Sequence, residues 1–509
     1  MIFPEIFEKS RANWLNEYFK FNLGKFEQEL SQKNEAFWIH AGERRALKIF
    51  HAAAERVPAY KNFLQKNNVR HGKIKTILDF RAVPLTDKKN YVSAYPLKDR
   101  AWGGKIESSK LTASSSGTTG SPNYWPRSGE QEFEAALTHE LLYKNFFNIH
   151  KQKTLVIIGF PMGVYVSGMA TVLPSYLVAQ KYRMTVISAG NNKAEVLKAV
   201  KNLHQLYDQI ILVGHPFFIK DTVETGNAEG IPWKKIHLNL MFCSEGFSEP
   251  WREYLMKEAG IKNKIGQTLS TYGSSELLLM AYETPVSMAL KELGEKNQSV
   301  NEKIFTRHHT PSVFQFNPMS RYIETVRREL IFTSASGLPL IRFNLRDSGI
   351  TFPLSKALTT LEQYSPNWQS RAKNFPLWRL PLVALWGRSD YTIIFYAANI
   401  YPEHILAALH QTQFLKLLTG KFTMRKGSLK NMDEYLEINL ETRQKIKNTP
   451  KLRAQITADI FNKLKSINSE FADASSRFGG KTVPHIKLWT YQHDKYFKPG
   501  LKPRFISHD

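Results

Sequence analysis

The sequence predicts an α/β protein. It would have a large N-terminal domain of parallel sheets covered by helices, then a small, mobile α+β C-terminal domain. Three observations carry this. From Thr154 onward, apolar strands alternate with helical patterns. Those strands are unbroken Val, Ile and Leu runs, as expected of a parallel sheet buried on both faces. After Gly387-Arg388-Ser389-Asp390 the pattern changes to short strands mixed with helices, so a domain boundary falls at 385/386 with its hinge at Asp390.

Residues 1–100 read as mainly helical. Ala46, Leu47, Phe50, Ala53, Ala54 and Val57 recur at helical spacing, and Pro58 marks an exit. In Pro84-Leu85-Thr86-Asp87-Lys88, Thr86 or Asp87 is placed to cap a further helix. A short strand, Lys110 to Ala113, then leads into Ser114-Ser115-Ser116-Gly117-Thr118-Thr119-Gly120-Ser121-Pro122. Nine residues here supply six hydroxyls and two glycines. Composition alone suits a solvated linker equally well. The stretch is short, unrepeated and preceded by a strand, which favours a turn whose amides and hydroxyls cradle an anion such as phosphate. It lacks the Gly-Lys-Ser/Thr of a Walker loop.

Thr154 to Ala179 holds 26 residues without a charge, more than the roughly 20 needed to cross a bilayer. Its interior glycines and prolines favour a buried strand, a loop and a buried helix, so an integral membrane protein is not expected. Strands follow at Met184–Ala189, Gln209–Gly214 and His237–Ser244. Helices are placed at Val166–Gln180, Lys193–Tyr207, Phe217–Thr225 and Glu249–Ala259. Right-handed crossovers bring the strand C-terminal ends to one edge, where open α/β sheets bind ligands. Two loops there stand out: Cys243-Ser244-Glu245-Gly246 and Thr271-Tyr272-Gly273-Ser274-Ser275-Glu276. The 280–330 region is polar and irregular. RELIFTSA and LPLIRFNL read as a hairpin turning at Gly337-Leu338-Pro339, and Arg342 with Asp347 reads by itself as a surface ion pair. Residues 351–378 read as loop. Beyond the hinge come a helix at His404–Gln411, strands at Phe422–Arg425 and Tyr435–Leu440, a helix at Leu452–Ser469 and a strand at His485–Tyr491.

The formal charge is +25, denser toward the C-terminal end, where 20 basic residues meet 11 acidic ones from Trp386 onward. That favours acidic partners: nucleotides, coenzyme A, an acidic carrier protein, nucleic acid or anionic lipid. The basic residues lack aromatic interleaving, which argues against a nucleic-acid platform. The single cysteine, Cys243, excludes an intrachain disulfide and a multi-cysteine zinc site, and fits the reducing cytoplasm.

Taken in order, these motifs resemble the adenylate-forming (acyl-activating) superfamily, and within it the phenylacetate–CoA ligase family. SSSGTTGSP is similar to its phosphate loop, CSEGFSEPW to its adenine segment and TYGSSE to its Tyr-Gly-x-x-Glu motif. LPLIRFNLRD is similar to its Arg- and Asp-bearing segment, and GRSDYTIIFYAANIYPEHI to its hinge. The resemblance spans residues 44–509 and implies activation of a carboxylic acid by ATP as an acyl-adenylate, with loss of pyrophosphate. Transfer to coenzyme A, a carrier protein or an amine would follow.

It also implies roles. Ser115, Ser116, Gly117, Thr118, Thr119 and Gly120 would hold phosphates, and Glu276 would bind Mg²⁺. Ser244, Glu245 and Tyr272 would face adenine, Asp347 the ribose hydroxyls, and Arg388 ribose or phosphate. Asp390 would be the pivot. Phe160, Met162, His215, Phe217 and Tyr272 would wall the acid pocket. The family's final Gly-Lys-x-x-Arg reads here as Gly500-Leu501-Lys502-Pro503-Arg504, so Lys502 is the catalytic lysine, with Lys498 in reserve. Position 123, lysine in some superfamily members, is Asn123. With no cysteine after the Tyr-Gly-x-x-Glu motif and only His308-His309 paired, no zinc is expected. The alternative is a catalytically weakened relative whose basic surface docks on nucleic acid or a membrane surface.

Overall fold

The computed structural model describes residues 13–115, 123–163, 166–244, 246–306, 310–388, 393–396, 398–429, 434–497 and 505. Among the described residues, 13–100 are mainly helical. The Glu35–Arg56 helix starts at the cap Asn34, whose side chain accepts from the Phe37 amide. It buries Trp38, Ala46, Ile49, Phe50, Ala53 and Ala54 along one face. Pro58 opens the next helix, Pro58–Lys66, at the position where a missing amide costs nothing.

The centre is a twelve-stranded mixed sheet. Met184–Ile187, Thr154–Gly159, Gln209–Gly214, Leu238–Cys243 and Thr268–Ser274 lie side by side and parallel, in that order. Alternate residues feed two cores. Val156, Ile158, Ile211 and Val213 pack under the Gly129–Phe147 and Val166–Ala179 helices. Leu155, Ile157, Ile210 and Leu212 pack under Lys193–Leu203, Pro216–Ala228 and Glu249–Glu258. Full burial of each such side chain is worth about 1.5–3 kcal/mol, which is why these runs need no polar alternation. The uncharged Thr154–Ala179 stretch is thus a strand and a helix of this layer. Among the described residues, no helix is long and apolar enough to cross a membrane.

The run of five parallel strands ends at Thr268–Ser274, and two expectations about the chain beyond it need correction. Beyond it Leu278–Tyr282, Ser312–Gln315, Leu382–Arg388, Leu340–Phe352, Glu329–Ser334 and Tyr322–Val326 join antiparallel. The link Ser275–Leu277 is too short for a crossover, so the chain can only turn back. The irregular 280–330 region contains helices Pro285–Lys296 and Gln298–Phe305, the first burying Val286, Ala289 and Leu290. The 351–378 loop is largely helical, with Leu354–Tyr364 burying Leu354, Ala357 and Leu361. In both, polar solvent faces hide an apolar stripe.

The C-terminal region has its own core, drawn from Ile393 to Leu488. Leu418–Ser428 and Glu434–Thr442 pair antiparallel, and His485–Trp489 adds parallel to the second. Helices Pro402–Leu409, Pro450–Ile467 and Ser469–Phe478 feed the same core.

Candidate functional site

The hydroxyl-rich turn is the loop of a hairpin. Leu111–Ser115 pairs antiparallel with Asn123–Arg127, with Ser115 opposite Asn123. The turn residues Ser116, Gly117, Thr118, Thr119 and Gly120 lie outside the described residues, as do Glu245, His308, His309, Asp390, Lys498, Lys502 and the side chains of Ser115, Phe217 and Arg388. The stalk of the hairpin is informative. Ala113 and Trp125 line a narrow crevice together with Glu276 and Ser336.

Glu276 sits in the tight turn between Thr268–Ser274 and Leu278–Tyr282, with its carboxylate buried. Ser274 Oγ accepts from the Leu277 amide at 3.2 Å. The Arg321 guanidinium donates twice to the Leu277 carbonyl, at 2.9 and 2.7 Å, and pairs with Glu134. A buried carboxylate needs a compensating charge. Lys88 supplies it, with Nζ 3.0 Å from Glu276 Oε1. The sequence reading did not single out Lys88, although it placed a helix cap in its segment. The cap is real: Asp87 and Asn90 exchange side-chain-to-amide bonds, each at 2.7 Å. The segment is also tied to the sheet. Thr86 and Asp87 pair in parallel with Phe343 and Asn344, Thr86 Oγ1 donates to the Ile341 carbonyl at 2.7 Å, and Asp87 pairs with Arg346 at 2.8 Å.

Four residues before Glu276, the Tyr272 ring stacks on Phe314 with centroids 5.9 Å apart, and its hydroxyl donates to the buried Asp347 carboxylate. Asp347 lies directly opposite Arg388 across the Leu340–Phe352 and Leu382–Arg388 strands. A register shift follows between Ser348 and Gly349, a bulge of the kind that re-aims side chains near active sites. Gly387 has φ +119°, and a Cβ there would collide with the Glu403 carboxylate, so only glycine fits. Arg342 does not pair with Asp347 at the surface. It is buried, pairs with Glu324 at 3.1 Å and donates to the Arg81 and Val83 carbonyls.

The remaining predicted residues follow the same edge. Gly159, Gly214 and Phe242 are in register on neighbouring parallel strands, as are Cys243 and Thr271. Phe160, His215, Ser244 and Tyr272 therefore succeed one another along the C-terminal edge of the sheet. Ser244 has φ +86°, a left-handed conformation that costs a non-glycine residue about 1–3 kcal/mol and concentrates at functional sites. Phe160 is 3% exposed and belongs to the core beneath the sheet. His215 is half-buried. Among the described residues, no group of three or more His, Cys, Asp or Glu gathers to hold a metal ion. A single buried carboxylate such as Glu276 fits Mg²⁺, which takes one or two protein carboxylates and fills the rest of its octahedron with other oxygen ligands.

No family model matches the chain, and no curated protein matches it. Solved structures do. The chain is similar to a 2-hydroxyisobutyryl-CoA ligase in the postadenylation state in complex with 2-HIB-AMP, with TM-score 0.67 and 13% identity over 95% of this chain and 92% of that one. An open conformation of that ligase, in complex with 2-HIB-AMP and CoA, gives TM-score 0.54 and 14% identity over 92% and 91% of the two chains. At these identities the likeness establishes the fold alone: the chain folds as that ligase does.

Proposed function

We propose that this protein activates a carboxylic acid with ATP, releases pyrophosphate, and passes the acyl group from AMP to a nucleophile, with coenzyme A the first acceptor to test. The observation that carries the proposal is the convergence at one sheet edge. The stalk of the hydroxyl-rich hairpin shares a crevice with Glu276, and the strand leading into Glu276 carries Tyr272, hydrogen-bonded to Asp347. The motif resemblance to the phenylacetate–CoA ligase family supports the same chemistry and leaves the acid open.

Phosphoryl and nucleotidyl transfer depend on positioning and on charge neutralisation. The amides and hydroxyls of residues 115–120 grip the β- and γ-phosphates. Glu276 would hold a magnesium ion, whose charge would screen the polyphosphate from an incoming carboxylate. Lys88, 3.0 Å from Glu276, neutralises that carboxylate in the absence of a metal. Ser244 and Glu245 flank adenine with the Tyr272 ring. Asp347 accepts from the ribose hydroxyls, replacing the bond it now takes from Tyr272, and Arg388 opposite it contacts ribose or phosphate. Phe160, His215 and Phe217 wall the acid. The domain boundary falls at 385/386, with Asp390 as pivot; the separate core spanning Ile393 to Leu488 supports it. Lys502, or Lys498 in its place, stabilises charge on the carboxylate and α-phosphate as they react.

Pyrophosphate release across a panel of carboxylic acids, with and without coenzyme A, tests this. Release that needs both ATP and one class of acid supports it. Background release across the panel, alongside tight and salt-sensitive nucleic-acid binding, would favour the basic binding protein instead.

A further inference from the structure

We infer that Asp221 and Glu224 are positioning residues. Together they form a dock on the Pro216–Ala228 helix that holds the C-terminal region in one of the two arrangements the two half-reactions need. The inference rests on the proposed two-step reaction.

Asp221 and Glu224 lie three residues apart, so one face of the helix presents both carboxylates. Each meets the C-terminal region. Tyr491 donates its hydroxyl to Asp221 Oδ2 at 2.8 Å. Lys193 closes the triangle, 3.0 Å from Asp221 and 2.9 Å from the Tyr491 hydroxyl. Glu224 pairs with Arg443, and it also takes the Tyr254 hydroxyl at 2.7 Å and Lys220 at 2.9 Å. Arg443 is set in place from its own side: its Nε donates to the Leu415 carbonyl and its amide to the Leu417 carbonyl, both at 2.9 Å. Beside this polar patch, the His410 ring lies 5.8 Å from Trp251 and its Nδ1 is 3.3 Å from Ser248 Oγ. Leu415 packs into the core under the parallel strands.

The character of this contact decides its role. Its outer ionic groups are partly open to water, with Asp221 24% exposed, Lys193 22% and Arg443 19%, while Glu224 at 11% and Lys220 at 2% sit further in. Polar, partly wet contacts of this kind let domains part and rejoin, whereas a large dry apolar seam would lock them. The dock also reaches the site. The Pro216–Ala228 helix begins one residue after His215, at the edge where the Gln209–Gly214 strand ends. Whatever seats against His215 therefore bears on the element that grips Tyr491 and Arg443.

Tyr491→Phe removes one hydroxyl and Arg443→Gln one charge, and neither empties a core. The full-length variants are compared with wild type in two assays: single-turnover pyrophosphate release from ATP with an acid the panel identifies, and thioester formation from the preformed acyl-adenylate and coenzyme A. Hydrogen exchange of 216–228 and 410–443, without ligand, is the third readout. The expected result is that exchange rises in both segments and the two half-reactions move several-fold in opposite directions, with Arg443→Lys restoring the wild-type ratio. Equal losses in both half-reactions, or unchanged exchange in both segments, would overturn the inference. A wild type that turns over no acid defeats the parent proposal, and the exchange measurement still decides whether this contact opens.

Discussion

The Tyr272 hydroxyl donates to the Asp347 carboxylate, joining two strands whose bonded residues are 75 positions apart. Two motifs remote in sequence thereby become one site. In the proposed complex, the hydroxyls of a sugar would take the place of that phenol at the Asp347 carboxylate.

Asp347→Asn keeps the shape and removes the charge. Hydrogen bonds to a charged group are worth about 1.5–3 kcal/mol, so the apparent ATP affinity in pyrophosphate release should fall roughly 10- to 150-fold. Tyr272→Phe should cost less, because ribose hydroxyls replace its bond in the complex.

Glu276→Ala should abolish magnesium-dependent adenylation, and raising the magnesium concentration should not restore it. Lys88→Ala should raise the KM for MgATP about tenfold, the effect of losing about 1.4 kcal/mol from a charge-assisted contact. Lys88 is 38% exposed, so the fold should survive. Unchanged KM with unchanged kcat would remove Lys88 from the site.

Lys502→Ala should spare ATP binding, measured by calorimetry, while slowing adenylation, because its interaction belongs to the transition state. A comparable loss of nucleotide affinity would contradict that role. The same comparison in Lys498→Ala tells which lysine acts.

Burial lowers the His410 pKa to about 3, with Lys220 and Lys291 adding to the effect. The unfolded chain therefore binds a proton that the folded one refuses between about pH 6.5 and 3, and stability is lost as pH falls through that window. By pH 5 the loss from His410 alone is about 2 kcal/mol. His410→Gln should narrow the drop in thermal unfolding temperature between pH 7.5 and pH 5. His139, lowered to about 4 by burial, keeps part of the drop in either protein.

Much of the parallel half of the fold is legible because its central strands are dry apolar runs, and the bounds read for Gln209–Gly214 match to the residue. The antiparallel half was legible only in its Glu329–Ser334/Leu340–Phe352 hairpin. Its order depends on turn lengths and on pairings such as Ser312–Gln315 with Leu382–Arg388, which no local pattern encodes. The Leu354–Tyr364 helix was hidden by Ser, Thr and Lys on its wet face. Of the site, Tyr272, Glu276 and Asp347 were visible as motif residues. Lys88 was not, because its role comes from a tertiary contact across 188 positions. Arg342 misled for a related reason: its partner Glu324 lies upstream, beyond the motif.

The most direct test is a structure of the full chain with magnesium and a non-hydrolysable ATP analogue. The account predicts adenosine against Tyr272, ribose on Asp347, and the polyphosphate between the 116–120 turn and a Glu276-bound metal ion. A nucleotide seated away from Asp347 and Glu276, or no binding at millimolar analogue, would contradict it.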